Sequence, residues 1–288
     1  SIGVTVRIAS RGSALALWQA EQVVAYLRSV GAAAEIVVVS TEGDRRTDVA
    51  LSEIGGKGVF VKEVQAAVLD GRADVAVHST KDLPALTPES LTIAAFPQRA
   101  DVRDAIVGLP LADLGAGHTI ATGAPRRHAQ LAGLCPDAQI VELRGNIATR
   151  LDKLAEVDAV VVAAAALERL QIVRTDVDFL DPSTMIPQVG QGALAIECAV
   201  ADTDLVEIFG GLDHPETRRC VETERAFLQR LGGDCELPAG GYAVLDGPEI
   251  VLTAMLATDG DCHRLVQRGT EPHALGVSIA DHLLAETS

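Results

Sequence analysis

Lysine is almost missing from this chain: four lysines stand against twenty arginines, and 40 acidic residues against 24 basic ones leave a net charge of −16. A duplex-binding protein needs a basic face to neutralise phosphates, so nucleic acid is excluded as a partner. An acidic surface also fits a protein adapted to high salt. No apolar run reaches the ~18 residues of a membrane span, and the N-terminus lacks the charged-then-apolar plan of a secretory signal. The expectation is a soluble, cytoplasmic protein with no membrane partner. The five cysteines, Cys135, Cys198, Cys220, Cys235 and Cys262, include no C-x-x-C pair. That argues against a disulfide framework or a zinc knuckle, predicts no metal site, and suits a reducing compartment. Internal repeats and low-complexity segments are also missing.

What is present is a well-stocked core. The 288 residues are 48% hydrophobic and 22% charged, enough for two or three globular domains. Apolar periods predict a strand at 4–9 and then a helix capped by Ser13, with Leu17, Ala20, Val24 and Leu27 on one face. A strand at 35–40 precedes a polar, glycine-bearing stretch at 41–58, too long for an ordinary connection and read as a functional loop. Alternation continues with a helix at 59–69, a strand at 73–78, a strand at Ile120, a helix at 126–134, a strand at 139–143, a helix at 147–154, a strand at 159–163 and a helix at 164–170. Such alternation predicts mainly parallel α/β sheets. Beyond about Pro215 a long helix at 216–231 is followed by strand-like runs separated at Asp246-Gly247 and Asp259-Gly260, strong hairpin signals. A three-stranded antiparallel sheet closed by a helix at 275–285 is expected there.

Many arginines sit beside Gly, Ser or Thr at expected turns, as in Ser10-Arg11-Gly12-Ser13, Pro125-Arg126-Arg127 and Arg144-Gly145-Asn146-Ile147-Ala148-Thr149-Arg150. A guanidinium offers a planar fork that matches a carboxylate or phosphate two bonds at a time, which an ammonium cannot do. The arginine excess has a second source in genomic base composition, so a local anion site accounts for only part of it. His78-Ser79-Thr80-Lys81-Asp82-Leu83-Pro84 follows a buried strand, and open α/β sheets place ligand sites beyond strand carboxyl ends. Lys81 and Asp82 also read as an ion pair closing the turn before Pro84. Thr122 with Arg126-Arg127 occupies a second strand-to-helix turn, where backbone N–H groups welcome an anion, and Arg144 and Arg150 bracket a third. Cys235 lies in the turn Gly232-Gly233-Asp234-Cys235-Glu236, with no histidine beside it to form a protease-like dyad. Its thiol is either a buried apolar filler or a point for attaching a group.

Taken in order, these strings resemble the porphobilinogen deaminase (hydroxymethylbilane synthase) family. The resemblance runs through Arg7-Ile8-Ala9-Ser10-Arg11-Gly12-Ser13-Ala14-Leu15-Ala16, Gly55-Gly56-Lys57-Gly58-Val59-Phe60, Ala76-Val77-His78-Ser79-Thr80-Lys81-Asp82-Leu83-Pro84, Arg126-Arg127, Leu143-Arg144-Gly145-Asn146, Gly190-Gln191-Gly192-Ala193-Leu194 and the Cys235 turn. It covers nearly the whole chain. The family joins four porphobilinogens head to tail on a dipyrromethane cofactor bound through a thioether, then releases the linear tetrapyrrole by hydrolysis.

The resemblance implies Asp82 as the catalytic residue and Cys235 as the attachment point of the dipyrromethane. Arg11, Arg126, Arg127, Arg144, Arg150 and Arg169 would bind the acetate and propionate groups of cofactor and substrate, helped by Ser13, Lys81 and Thr122. Each charge-assisted hydrogen bond would contribute roughly 1.5–3 kcal/mol. Lys57 and Phe60 would belong to an active-site loop. Porphobilinogen and polypyrrole intermediates are the implied partners of a monomer. The implied fold is two α/β domains like those of periplasmic binding proteins, residues 1–97 with 193–213 and residues 98–192, plus a small α+β domain over 214–288 with a three-stranded antiparallel sheet.

Two departures stand out. Ala121-Thr122-Gly123-Ala124 replaces the Gly-Thr-Ser-Ser string usual before the arginine pair, removing two hydroxyl donors, and Glu53 stands where many members carry lysine. A non-catalytic carboxylate-binding protein of the periplasmic-receptor type, or a degenerate deaminase, would also use the arginines; the former needs neither Cys235 nor a third domain.

Overall fold

The computed structural model describes residues 5–40, 58–233, 237–258 and 260–287, with main chain alone at 58–60. Internal contacts divide the chain into two units, residues 1–99 with 193–218 and residues 100–192 with 219–288. The first contains β1 (Val6–Ser10), α1 (Ala14–Ser29), β2 (Ala34–Val38), α2 (Gly58–Leu69), β3 (Val75–Ser79), a 3-10 turn at Thr80–Asp82 and β4 (Leu91–Ala95). After an excursion through the second unit the chain returns to it as β10 (Leu194–Ala199) and α6 (Thr203–Gly210). The sheet order is β2-β1-β3-β10-β4. β1 runs parallel to β2 and β3, whereas β10 is antiparallel to β3 and β4.

Both faces of this sheet are covered, so its strands read as continuous apolar runs instead of alternating ones. Ile8, Val75, Val77 and Ile196 pack with Ala20, Val23, Val24 and Leu27 of α1 and with Leu205 and Phe209 of α6. On the other face Ala9 and Ala76 meet Val64, Ala67 and Val68 of α2. Helix α1 starts where the Ser13 side chain accepts a hydrogen bond from the Ala16 N–H, satisfying one of the free donors of the first turn.

The second unit repeats the plan with β5 (Asp104–Gly108), β6 (Thr119–Ala121), α3 (Pro125–Leu134), β7 (Gln139–Val141), α4 (Ile147–Asp152), β8 (Ala159–Ala163), α5 (Ala164–Arg169) and β9 (Val177–Phe179). Its order is β7-β6-β8-β5-β9. β6 is parallel to β7 and β8, and β5 is antiparallel to β8 and β9. The sheets are therefore mixed, not mainly parallel as the alternation predicts. The reversal comes from β10 and β5, each wedged between two strands of its sheet. Local periodicity carries no information on strand direction.

Helix α7 (Pro215–Arg230), within which the boundary between the units falls, leads to β11 (Ala239–Asp246), β12 (Glu249–Thr258), β13 (Asp261–Gly269) and α8 (Pro272–Glu286). The three strands form one antiparallel sheet in chain order. Its first hairpin turns at Gly247, whose φ of +59° suits the Asp-Gly signal. Ile250, Leu252 and Ala254 of β12 are buried, as are Leu275, Ile279 and Leu283 of α8. The close passage of α8 over α7 requires Gly276, where a Cβ would stand 2.5 Å from the Thr223 carbonyl oxygen.

Leu27 is fully buried between α1 and the first sheet. Leu27→Ala is expected to lower stability by about 2–5 kcal/mol, read from urea unfolding followed by circular dichroism.

Candidate active site

In the first unit the site is built at the carboxyl end of β3. Backbone extension through Ser79 gives way to the 3-10 turn, which is fixed by the Thr80 N–H on the Ala193 carbonyl and the Leu83 N–H on the Thr80 carbonyl. This puts Asp82 on a cavity of about 70 Å³ that is also lined by Arg11, Ser13, Gln19, His78 and Ser79. Leu15, Ala16, Val61, Val64 and Val77 supply its apolar wall. Gln19 donates from Nε2 to Ser79 Oγ at 2.7 Å, tying α1 to the end of β3. Lys81 stands beside Asp82 on the turn, half-buried, and is not among the lining residues.

The second unit concentrates its arginines on one buried carboxylate. Arg126 and Arg127 open α3, which Pro125 starts after extended backbone at Ala124. Both guanidinium groups are buried against Asp104 at the start of β5. Arg126 Nη1 donates to Asp104 Oδ2 at 2.7 Å, and Arg127 donates to Oδ1 from Nη2 at 2.8 Å and Nε at 3.0 Å. Gln191 Nε2 adds a third group at 3.0 Å. Burial pushes the Asp104 carboxyl up, but the pull of the two guanidinium groups outweighs it and holds the carboxyl well below the usual range.

The two arginines differ in what remains available. Arg127 Nη1 is taken by the Val161 carbonyl, and Arg126 Nη1 is shared with the Ile186 carbonyl. Arg126 Nε and Nη2 are buried and meet no hydrogen-bond partner among the described residues. Arg169 is also buried and donates from Nη2 to the Gly192 carbonyl at 2.7 Å. At the third strand end Arg144 lies 3.6 Å from Glu142, and Arg150 Nε donates to the Gly145 carbonyl at 2.8 Å.

Thr122 is buried, and its Oγ1 accepts from the Ala124 N–H at 3.3 Å. Gly123 has a steric reason: a Cβ there would stand 2.2 Å from the Leu143 carbonyl oxygen. Serine does not fit this backbone, so the missing hydroxyl goes with a close approach of the turn to the Leu143 carbonyl just after β7.

Arg11, Ser13 and Asp82 are thus gathered in the first unit, and Arg126 and Arg127 in the second. Lys57 and Cys235 fall outside the described residues, as does the side chain of Phe60. Of the remaining cysteines, Cys135, Cys198 and Cys220 are buried, and burial drives the Cys198 thiol up to about 11. A thiol so raised is a poor nucleophile at neutral pH. Among the described residues no group of three metal-ligating side chains occurs, and no helix is long and apolar enough to cross a membrane. Sequence reasoning missed Asp104, Gln19 and the packing role of Gln191. The one signal for Asp104 was a carboxylate at the head of the apolar run Ala105-Ile106-Val107, next to Arg103, with its arginine partners 22 and 23 residues away.

A carboxylate at a strand end shares its cavity with arginine and hydroxyl side chains, in an α/β protein with mixed sheets. The chain belongs to the porphobilinogen deaminase family. Residues 6–207 match the family's dipyrromethane cofactor binding domain, and residues 218–285 match its C-terminal domain. Porphobilinogen deaminase of Roseiflexus sp. (strain RS-1) is 43% identical over 290 residues, covering 97% of this chain and 96% of that protein. Those of Bacillus pumilus and Chromobacterium violaceum are each 42% identical, covering 97% and 96% of this chain and 93% of each relative. Among solved structures, an ancestral cationic amino acid solute binding protein aligns at 14% identity and TM-score 0.45, covering 72% of this chain and 87% of that one. A periplasmic substrate-binding protein from Coxiella burnetii aligns at 15% and TM-score 0.45, covering 74% and 94%.

Asp104→Asn would leave two buried guanidinium groups facing a neutral amide, and is expected to destabilise the protein by about 3–5 kcal/mol at pH 7 in urea unfolding. The folded carboxyl resists protonation more than the unfolded one. The contribution of Asp104 is therefore complete above about pH 4 and is lost as the pH falls further. The gap between wild type and variant should close accordingly in acid.

Proposed function

We propose that the chain condenses four porphobilinogens head to tail on a dipyrromethane primer attached through a thioether to Cys235, releasing hydroxymethylbilane by hydrolysis. The observation that carries this reading is the pairing of Asp82 with Arg11 on one cavity, in a chain that matches its family from residue 6 to residue 285 with only a short gap.

The residues fit the cofactor's carboxylates. Arg126 keeps two buried donors, Nε and Nη2, without a partner among the described residues, and these form one edge of its fork. An acetate or propionate accepted there would meet a cation already oriented by Asp104. When bound, the dipyrromethane supplies a nucleophilic pyrrole carbon. Arg127, Arg144, Arg150 and Arg169, with Thr122, complete the carboxylate-binding set in this reading. Arg11, Ser13 and Lys81 serve the substrate beside Asp82, and Lys57 and Phe60 assist the same site in this reading.

Asp82 does the proton work. As ammonia leaves porphobilinogen, positive charge develops on the substrate pyrrole, and the Asp82 carboxylate stabilises it at the ring N–H. The same carboxylate would accept the proton that a condensation releases. It returns a proton to the next leaving amine, so each condensation releases one ammonia and leaves Asp82 unchanged.

Residues 1–97 with 193–213, 98–192 and 214–288 act as three domains in this reading, supported by the presence of one sheet in each. The protein works as a cytoplasmic monomer with porphobilinogen and polypyrrole chains as its ligands.

Purified protein incubated with porphobilinogen should yield porphyrin absorbance after acid oxidation. Binding without porphyrin would instead favour a receptor. Asp82→Asn is expected to fold normally and to lose at least about 100-fold in turnover, measured as porphobilinogen consumption; near-normal turnover would remove Asp82 from the mechanism. The intact mass should exceed that of the sequence by one dipyrromethane, and Cys235→Ala should abolish the increment.

A further inference from the structure

A second polar cluster lies beneath the Asp82 cavity, in the core of the first unit. Glu197, in the middle of β10, is fully buried. Gln65 of α2 donates from Nε2 to both of its oxygens, at 3.0 and 3.1 Å, and His78 Nε2 lies 3.0 Å from Oε2. His78 is itself buried and lines the cavity shared with Asp82.

Both carboxylate oxygens accept hydrogen bonds, the pattern of an ionised group. Among the described residues His78 is the one ionisable partner of Glu197. An uncompensated carboxylate in such a place is costly, and the neighbouring His78 imidazole is a group able to carry a compensating charge. A core position with only a packing role would be served as well by apolar side chains.

We propose that Glu197 is a positioning residue for the reaction, holding His78 as a buried imidazolium whose charge keeps the Asp82 carboxylate ionised and ready to take the ring proton. Three features support this. His78 is the last buried residue of β3, and Asp82 follows four positions later on the turn that continues it. Glu197 reaches His78 across the β3–β10 pairing, in which Ala195 opposes His78 and Glu197 opposes Ala76. Among the described residues the remaining charged groups near the cavity are Arg11, from the loop after β1, and Lys81 and Asp82, from the turn; α2 also carries the partly buried Glu63, and α1 lines the cavity with Leu15, Ala16 and Gln19. The chain that re-enters the first unit as β10 therefore delivers a charge to the catalytic end of β3 as well as a strand to the sheet.

This inference rests on the reading of Asp82 as the proton-transferring residue, and the test separates the two. In the cofactor-loaded enzyme labelled with 15N-histidine, the His78 ring nitrogens, assigned by their loss in His78→Gln, should show imidazolium shifts from pH 6 to pH 8, as expected of a charge held by a buried carboxylate. They should turn neutral in Glu197→Gln. Removing a positive charge near Asp82 makes its carboxylate easier to protonate. The acidic limb of the kcat–pH profile should thus move to higher pH in Glu197→Gln and in His78→Gln, with kcat at neutral pH down by about tenfold or more and KM within about threefold.

The double variant Glu197→Leu with His78→Leu guards against a folding failure. Its melting temperature should match or exceed that of wild type while kcat stays low. A neutral His78 at pH 7 would overturn the proposal, as would a folded double variant turning over within about threefold of wild type with an unmoved pH profile. If Asp82→Asn proves active while His78 is imidazolium, the Asp82 reading fails and the buried ion pair stands.

Discussion

Asp104 draws together parts of the second unit that are far apart in sequence. Its carboxylate, at the head of β5, accepts from Arg126 and Arg127 on the first turn of α3 and from Gln191 just before the chain leaves for β10. Removing two guanidinium groups from water is expensive, and only a carboxylate with well-aligned donors offsets that cost. The arrangement fixes the entry of α3 against the sheet. It also orients Arg126 so that Nη1 is spent on Asp104 and Ile186 while the Nε–Nη2 edge meets no hydrogen-bond partner among the described residues. A lysine at that position would have no second edge to offer.

The same device recurs in the first unit with weaker partners. Glu197 stands on the antiparallel strand of its sheet, as Asp104 stands on the antiparallel strand of the other, and each is fully buried. Asp104 is balanced by two arginines, which carry a permanent charge. Glu197 meets a histidine and an amide, neither of which carries a permanent charge. In each sheet the strand that runs against its neighbours carries the buried carboxylate, and in each the paired basic group belongs to a neighbouring strand end or helix start. Strand ends are where an α/β sheet presents side chains and backbone N–H groups to a ligand.

Much of the local structure was legible. Helix α1 follows from the Ser13 cap and the apolar face through Ala20, Val24 and Leu27, and β8 from a run buried on both faces. The antiparallel sheet follows from Asp246-Gly247 and the flanking runs. Helix α8 starts at Pro272, three residues before the apolar face predicts, because Glu271 caps it through the His273 and Ala274 N–H groups. The strands β4, β5, β9 and β10 left weaker marks, lacking a helix of clear period on both sides.

By itself the sequence determined the elements whose signals are local: caps, apolar faces, glycine turns, and the ordered strings that mark the family. It also located Asp82, because a polar string directly after a buried strand has one place to go. Only the tertiary structure decided strand direction, the return of β10 between β3 and β4, and which donors of Arg126 are spent on Asp104 and Ile186 and which meet no hydrogen-bond partner among the described residues. The physical reason is that these outcomes depend on pairings between residues far apart in the chain, such as Arg126 with Asp104, 22 residues apart, and Gln65 with Glu197, 132 apart. A side chain's chemistry can be read from its letter, but its charge state and free valences depend on what the fold packs beside it.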